Sequence, residues 1–274
     1  MIQMIKTYEE CRAFAAGFQG DPNFSGPMLS SEEQLQSNLV RPIGNPDRYC
    51  VFGVYCEETL TGLFAFLVIR DEQYAEMLAG LSHEKSAYLE ALQYLEQHFP
   101  GYGIDFVFNP GNCPLREQLN TRKADFEPEQ QKMVLEAPAP DMDTTGIVPL
   151  SDQYAEQYCA IHNKNMYWTG EKVMQAQDRF HTFLAIRDGR VVGYIDVTCT
   201  SKENELFDLF VPEEYRRMGY GRKLLAKALE ANAPNAMSVL VDADNVPAIR
   251  LYASMGFAKK QNILMAHWTV PSSE

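Results

Sequence analysis

The sequence contains no long uncharged run. No window reaches the roughly 18 apolar residues that a membrane-spanning helix needs. Cysteine is sparse and scattered: Cys11, Cys50, Cys56, Cys113, Cys159 and Cys199 form no CxxC pair and have no histidine at ligand spacing. That is the pattern of reduced thiols rather than of a zinc framework. The histidines form no HExxH, so no metal is expected. No glycine-rich stretch ends in Gly-Lys-Ser or Gly-Lys-Thr, and none reads GxGxxG, which argues against a nucleotide P-loop and a dinucleotide fold. Positive charge is also short. The 24 Lys and Arg face 37 Asp and Glu, for a net charge of -13. Duplex nucleic acid is held by neutralising phosphates, so this balance points away from it. Residues 1–10 show no basic region followed by an apolar run, and a cytoplasmic location is expected.

What is present suffices for two cores. Apolar residues make up 46% and charged residues 22% of 274, enough for two domains of ordinary size. The segment Ala137–Thr145, with two prolines, small residues and acids, reads as a linker. It divides the chain into 1–137, a linker at 138–145, and 146–274.

The second half predicts a short strand at 147–149 and a helix from Ser151 as N-cap to about His162. A hairpin follows, with Asp188-Gly189 at its turn between strands 182–186 and 191–198. A strand at 205–211 leads to a helix at 220–232, in which Leu224, Leu225, Ala228 and Leu229 share one face. A buried strand at 238–242, a helix at 247–255 closed by Gly256, and a strand at 263–270 complete it. The first half repeats nearly the same order. Asn112-Cys113-Pro114 sits where Asn245-Val246-Pro247 sits, and Ala124-Asp125-Phe126 is matched to Met255-Gly256-Phe257. The expectation is two copies of one α/β unit, each a mixed, largely antiparallel sheet flanked by helices.

The chemistry concentrates between strand 205–211 and helix 220–232. Arg216-Arg217-Met218-Gly219-Tyr220-Gly221 places glycines and arginines at a helix N-terminus. Free N–H groups and the positive end of the helix dipole make such a place a cradle for a pyrophosphate. A purely structural reading, glycines easing a tight turn, is open on this segment alone.

This segment resembles a motif of the GNAT acyltransferase superfamily: Arg or Gln, two residues, Gly, one residue, then Gly or Ala, after a strand ending near valine. Val211 lies five residues before Arg216. Residues 245–257 resemble the family's following motif through Asn245, Ala248, Leu251, Tyr252, Gly256 and Phe257. The resemblance covers about 146–274. It implies an N-acetyltransferase that moves an acetyl group from acetyl-coenzyme A to an amine by direct attack. A non-catalytic acyl-coenzyme A sensor or interaction module is the alternative.

The resemblance also implies roles. Arg216 and the backbone of Arg217, Met218, Gly219, Tyr220 and Gly221 would hold the pyrophosphate. Leu209, Phe210 and Val211 would pair with the pantetheine arm, and the Val211 amide would polarise the thioester carbonyl. Pro212, directly after Val211, departs from the family's usual spacing and loosens that last assignment. Asn245 would touch the pantetheine or cap its helix. Tyr252 would protonate the leaving thiolate. Glu205 is the expected general base and Asp208 the alternative; strict alternation along the strand would put them on opposite faces. Tyr167 and Trp168 would wall the amine through cation–π contact. The acceptor is open, with a small molecule slightly favoured over a protein, and the chain is expected as monomer or homodimer.

The first half has Leu81-Ser82-His83-Glu84-Lys85-Ser86-Ala87 where the cradle should be, with no glycine pair, no arginine and an acid instead. Its helix at 114–121 offers no tyrosine to match Tyr252. It reads as a degenerate copy that does not bind coenzyme A.

Overall fold

A computed structural model describes residues 1–18, 21, 32–164, 168–200 and 202–272. They form two compact units. One comprises residues 1–130 and 261–274, the other 131–260. This departs from a single cut near 137–146. Residues 131–137 cluster with the second unit and 261–274 with the first, so each half of the sequence sends its closing strand to the unit built mainly from the other half. Among the described residues, no helix is long and apolar enough to cross a membrane.

The first unit begins with β1 (Ile2–Met4) and the short helices α1 (Arg12–Ala16), α2 (Glu32–Leu35) and α3 (Arg41–Ile43). There follow β2 (Tyr49–Cys56), β3 (Thr59–Ile69), β4 (Tyr74–Leu81), α4 (Lys85–His98), β5 (Gly103–Phe108), α5 (Cys113–Thr121) and β6 (Asp125–Phe126). Next comes β7 (Gln130–Leu135), most of which belongs to the second unit. Its other elements are β8 (Ile147–Pro149), α6 (Ala155–Ile161), α7 (Gly170–Gln175), β9 (Phe180–Arg187), β10 (Arg190–Thr198), β11 (Glu203–Phe210), α8 (Tyr220–Asn232), β12 (Ala236–Asp242) and α9 (Val246–Ser254). The last strand is β13 (Phe257–Thr269).

In the first unit the sheet order is β1-β2-β3-β4-β5-β13, with β6 also on β13. In the second it is β8-β9-β10-β11-β12-β7. The β4·β5 and β11·β12 pairs are parallel; β1·β2, β2·β3, β3·β4, β5·β13, β8·β9, β9·β10 and β10·β11 are antiparallel. Both units are therefore the mixed, largely antiparallel sheets flanked by helices that the sequence predicts.

Each sheet buries both faces. In the second unit Leu224, Leu225, Ala228 and Leu229 of α8 and Tyr252 of α9 join Ile195, Val197, Leu206 and Val239 in one core. Tyr158 of α6, Val173 of α7, Tyr194 and Phe180 form the core on the opposite face. The first unit does likewise, with Ala87, Tyr88, Ala91 and Leu92 of α4 over one face, and Ile5, Ala15, Leu39, Val51 and Ala65 over the other. Each apolar helix stripe recurs at the three- and four-residue spacing that a sheet-facing helix requires.

Two local expectations change and the hairpin expectation holds. Ser151 makes no side-chain cap; a 3-10 turn at Asp152–Tyr154 precedes α6. Asp188 and Gly189 both have positive φ, as the two-residue hairpin demands. The repeat alignment after the last helix of each copy shifts by two. Lys123 (φ 58°), not Asp125, matches Gly256 (φ 97°), because each is the left-handed residue just past its helix.

Candidate active site

The register of β10 on β11 places the site. Tyr194 pairs with Phe210 and Asp196 with Asp208, but Val197 then pairs with Leu206. Phe207 is thus an extra residue on β11, a β-bulge, and the pleat is reset there. Leu206 faces the α8 core, so Glu205 faces away from it. Asp208 lies opposite Asp196, on the face of Tyr194. The bulge therefore puts Glu205 and Asp208 on the same face, and the expected alternation fails. Bulges bend the strand that carries them. Pairing of β11 with β12 runs only from Glu203↔Ala236 to Leu206↔Val239, and beyond it the strands part. The backbone of Leu209 and Phe210, with Val211 just past the strand end, lies along this opening.

The loop from Val211 to Gly219 leads to α8. Arg217 (φ 64°) and Gly219 (φ 88°) are both left-handed, which curls successive N–H groups toward one concavity. Gly219 is the N-cap of α8, and no side chain caps the helix, so its first N–H groups are left for an anion. A Cβ on Gly219 would meet nothing within 4 Å. The glycine is required for its φ, not for space. The Arg216 Nε donates to the Val211 carbonyl at 2.9 Å, which pins the loop and leaves the rest of the guanidinium to face an anion. Met218 is exposed, and Tyr220 and Gly221 open the helix, where a Gly221 Cβ would already touch Leu251 at 3.4 Å.

Asn245 caps α9: its side chain accepts from the Ala248 N–H at 3.2 Å. Asn112 does the same for Leu115 in the first unit, with nearly identical φ and ψ. The capping half of the Asn245 expectation is what the geometry carries. Tyr252 is buried, 6% exposed, beside Phe257. Burial, and then the Asp208 charge, push its phenol well above the usual range, so it carries its proton at neutral pH. Glu205 is half-buried, and burial raises its carboxyl while Lys132 opposes the rise.

Trp168 is partly buried against Phe180, with ring centroids 5.1 Å apart, and the Arg179 guanidinium lies 5.5 Å over its ring. One cation over this ring is thus the chain's own. Tyr167 lies outside the described residues.

Sequence reasoning missed the polar cluster on the same face. Asp196 is 0% exposed, yet it accepts from Thr182 Oγ1 at 2.5 Å, from the Tyr158 hydroxyl at 2.9 and 3.0 Å, and faces His162 Nε2 at 3.0 Å. Tyr194 donates to Asp208 at 2.6 Å and stacks on the His162 ring at 4.8 Å. Burial, opposed by Tyr194, sets Asp208 above the usual carboxylate range. The ligand-type atoms of His162, Asp196 and Asp208 lie within 4.8 Å of one another. The hydroxyls and the ring already fill Asp196, so the arrangement is satisfied as a hydrogen-bond network. Its only signal in the sequence is the acid inside each of two apolar strands.

With this geometry in hand, the relatives can be read. Residues 147–257 match the family model described as the acetyltransferase (GNAT) family. A mycothiol acetyltransferase from Amycolatopsis mediterranei (strain U-32) is 32% identical over 93 residues, 33% of this chain and 31% of that protein. The [ribosomal protein bS18]-alanine N-acetyltransferase of Escherichia coli (strain K12) is 30% identical over 83 residues, 29% of this chain and 56% of that protein. A solved tandem GNAT protein from the clavulanic acid biosynthesis pathway superposes with a TM-score of 0.54 at 13% identity, covering 100% of both chains. That likeness concerns the fold alone. The matched segment spans about a third and just over half of the two curated relatives' lengths.

Proposed function

We propose that residues 147–257, which match the model of the acetyltransferase (GNAT) family, transfer an acetyl group from acetyl-coenzyme A to an amine, within the expected domain 146–274. The observation that carries this reading is the left-handed pair Arg217 and Gly219, set before an uncapped helix N-terminus beside two parting strands. Backbone N–H groups from Arg217 to Gly221, with Arg216, bind the pyrophosphate of the substrate. The free edge at Leu209, Phe210 and Val211 takes the pantetheine arm and orients the thioester. The neutral phenol of Tyr252 gives its proton to the departing sulfur. The amine needs no covalent enzyme intermediate.

The names of the two curated relatives point to different acceptors, mycothiol in one and an alanine of ribosomal protein bS18 in the other. The acidic balance of this chain favours a cationic small molecule as acceptor. Acetyl-coenzyme A consumption over a panel of primary amines tests the reading. Tyr252→Phe is expected to lower kcat about 10- to 100-fold while leaving calorimetric binding of acetyl-coenzyme A within about twofold. Full turnover in that variant would remove Tyr252 from the mechanism. Binding without turnover of any amine would favour the sensor reading instead.

A further inference from the structure

We propose that Asp208, rather than Glu205, receives the ammonium group of the acceptor, with Tyr194 and the His162–Asp196 pair as its positioning residues. This rests on the acetyl-transfer reading and names the acceptor-binding group within it.

The charge state of the cluster follows from its hydrogen bonds. His162 Nδ1 lies 3.1 Å from the Asn163 carbonyl and Nε2 lies 3.0 Å from the Asp196 carboxylate. Both neighbours only accept, an arrangement that favours hydrogen on both ring nitrogens, and the bonds to Asp196 and the Asn163 carbonyl raise the ring's affinity for a proton against the effect of burial. With the ring protonated, Asp196, Asp208 and His162 together carry one net negative charge in a largely buried place. Such a charge is costly unless a cation meets it. The Tyr194 hydroxyl is fully committed, donating to Asp208 and accepting from the Asn163 N–H at 3.3 Å. It holds one carboxylate oxygen, the Leu209 N–H also serves the carboxylate, and the remaining lone pairs can accept a ligand's N–H.

Position argues the same way. Asp208 follows the bulge, where β11 has left β12, next to the Leu209–Val211 edge proposed for the thioester. Glu205 lies on the paired part of β11, opposite Ser238. The first unit has the same bulge, with Ala65↔Ala79 followed by Phe66↔Met77. By that register Glu205 corresponds to Glu76, which faces Asp105 on β5. Asp208 corresponds to Ala79, Asp196 to Ala65 and Tyr194 to Leu63. The copy without a cradle keeps the glutamate and lacks the whole network.

Asp208 takes one proton from the ammonium. The nitrogen lone pair attacks the thioester carbonyl carbon, the C–N bond forms and the C–S bond breaks. The sulfur takes the Tyr252 proton, and the second proton leaving nitrogen restores the phenol. Asp208 releases its proton to solvent. Its affinity for protons is raised by burial and by the Asp196 charge on β10, and lowered by the Tyr194 hydroxyl, the His162 charge after α6 and the Leu209 N–H.

The test is an NMR titration of the full chain with labelled Asp and Glu carboxyl carbons, using ethylammonium chloride and, as its neutral counterpart, ethanol. The Asp208 resonance is identified by its loss in Asp208→Asn, or in Asp208→Glu should the amide variant not fold. It is expected to move with ethylammonium, not with ethanol. A response at Glu205 instead, or at neither group, overturns the proposal. This arm needs no turnover, so it fails separately from the acetyl-transfer reading, which fails if ethylamine, spermidine and an alanyl peptide all leave acetyl-coenzyme A intact. With an active amine, Asp208→Asn is expected to lower kcat/KM at least about 100-fold. Tyr194→Phe should lower kcat/KM by less than Asp208→Asn does and move the acidic limb of the pH profile up by about one pH unit, because the carboxylate loses a donor. A merely structural tyrosine would not move that limb. An unmoved limb in Tyr194→Phe, or a limb lost in Glu205→Gln, overturns the assignment.

Discussion

The two units share a strand order, a β-bulge at the same register and an asparagine-capped helix, yet they differ at each place where chemistry would occur. In the second unit residues 211–219, with Arg217 and Gly219 left-handed, join strand to helix; in the first, residues 82–84 do so. In the second unit Leu225 lies on the sheet face of α8. At the matching place on α4 is Tyr88, which donates to the Gly80 carbonyl at 3.0 Å and accepts from Asn112 Nδ2 at 2.7 Å. Gly80 corresponds to Leu209, so the backbone left open in one unit is occupied by a tyrosine hydroxyl in the other. The difference teaches that the bulge is a property of the fold, while the loop beyond it and the polar face beneath it distinguish a site from a scaffold.

Four measurements break or sharpen this comparison. The largest effect on ligand affinity is expected from Gly219→Glu, which strains a residue at φ 88° and brings to the loop an acid like Glu84 of the first unit. Calorimetric affinity for acetyl-coenzyme A should fall more than about 100-fold, close to 3 kcal/mol. An unchanged Kd would mean that the cradle is only a turn. Next is Asp196→Ala, which installs the residue of the first unit in the second. Tyr158, Thr182 and the His162 ring lose their acceptor, and urea unfolding should show a loss of about 3–5 kcal/mol. A loss under about 1 kcal/mol would mean that the network is not structurally coupled.

Tyr88→Leu makes the reverse exchange in the first unit. It leaves the Gly80 carbonyl and the Asn112 amide without their partner, for about 1–3 kcal/mol by the same measurement. It should create no second binding event in calorimetry, since the loop at 82–84 has no cradle. A second event would show that the tyrosine alone separates the copies. The smallest effect concerns pH. Burial tends to lower the His162 pKa, but its bonds to Asp196 and the Asn163 carbonyl, with the Asp196 and Asp208 charges, leave it raised. A raised pKa means that the folded state binds the proton more tightly. The associated stability is full below the ordinary histidine value of about 6.5 and is lost as pH rises through the raised one. His162→Gln should flatten that decline in a pH series of unfolding curves.

Much of this was legible in the sequence, and the failures have physical causes. Helix 220–232 was legible because four apolar residues fix its face. The hairpin was legible because Asp188-Gly189 suits positive φ at both positions, and the cradle because only glycine adopts φ 88° without strain. The relation of Glu205 to Asp208 was not, because a bulge depends on the partner strand and β11 alone reads as a regular alternation. The His162–Asp196 network was hidden because its members come from α6, β9, β10 and β11 and meet only in the folded chain. The place of Arg179 over the Trp168 ring was not legible either, because the two lie eleven residues apart and meet only in the folded chain. The destination of the closing strands was also illegible. Their alternation specifies a strand but not which sheet edge it joins.

That destination has a consequence for how the chain is made. The first unit draws residues 261–274 into its compact body, and β13 covers β5. A ribosome therefore finishes residues 1–130 long before the strand that completes them exists. Until the last stretch emerges, the nascent first unit presents β5 as a bare edge, open to mispairing with any strand nearby. Closure across so much sequence carries a high contact order and a slow final step. The first unit, which comes first in the sequence, is thus the last to be finished in synthesis.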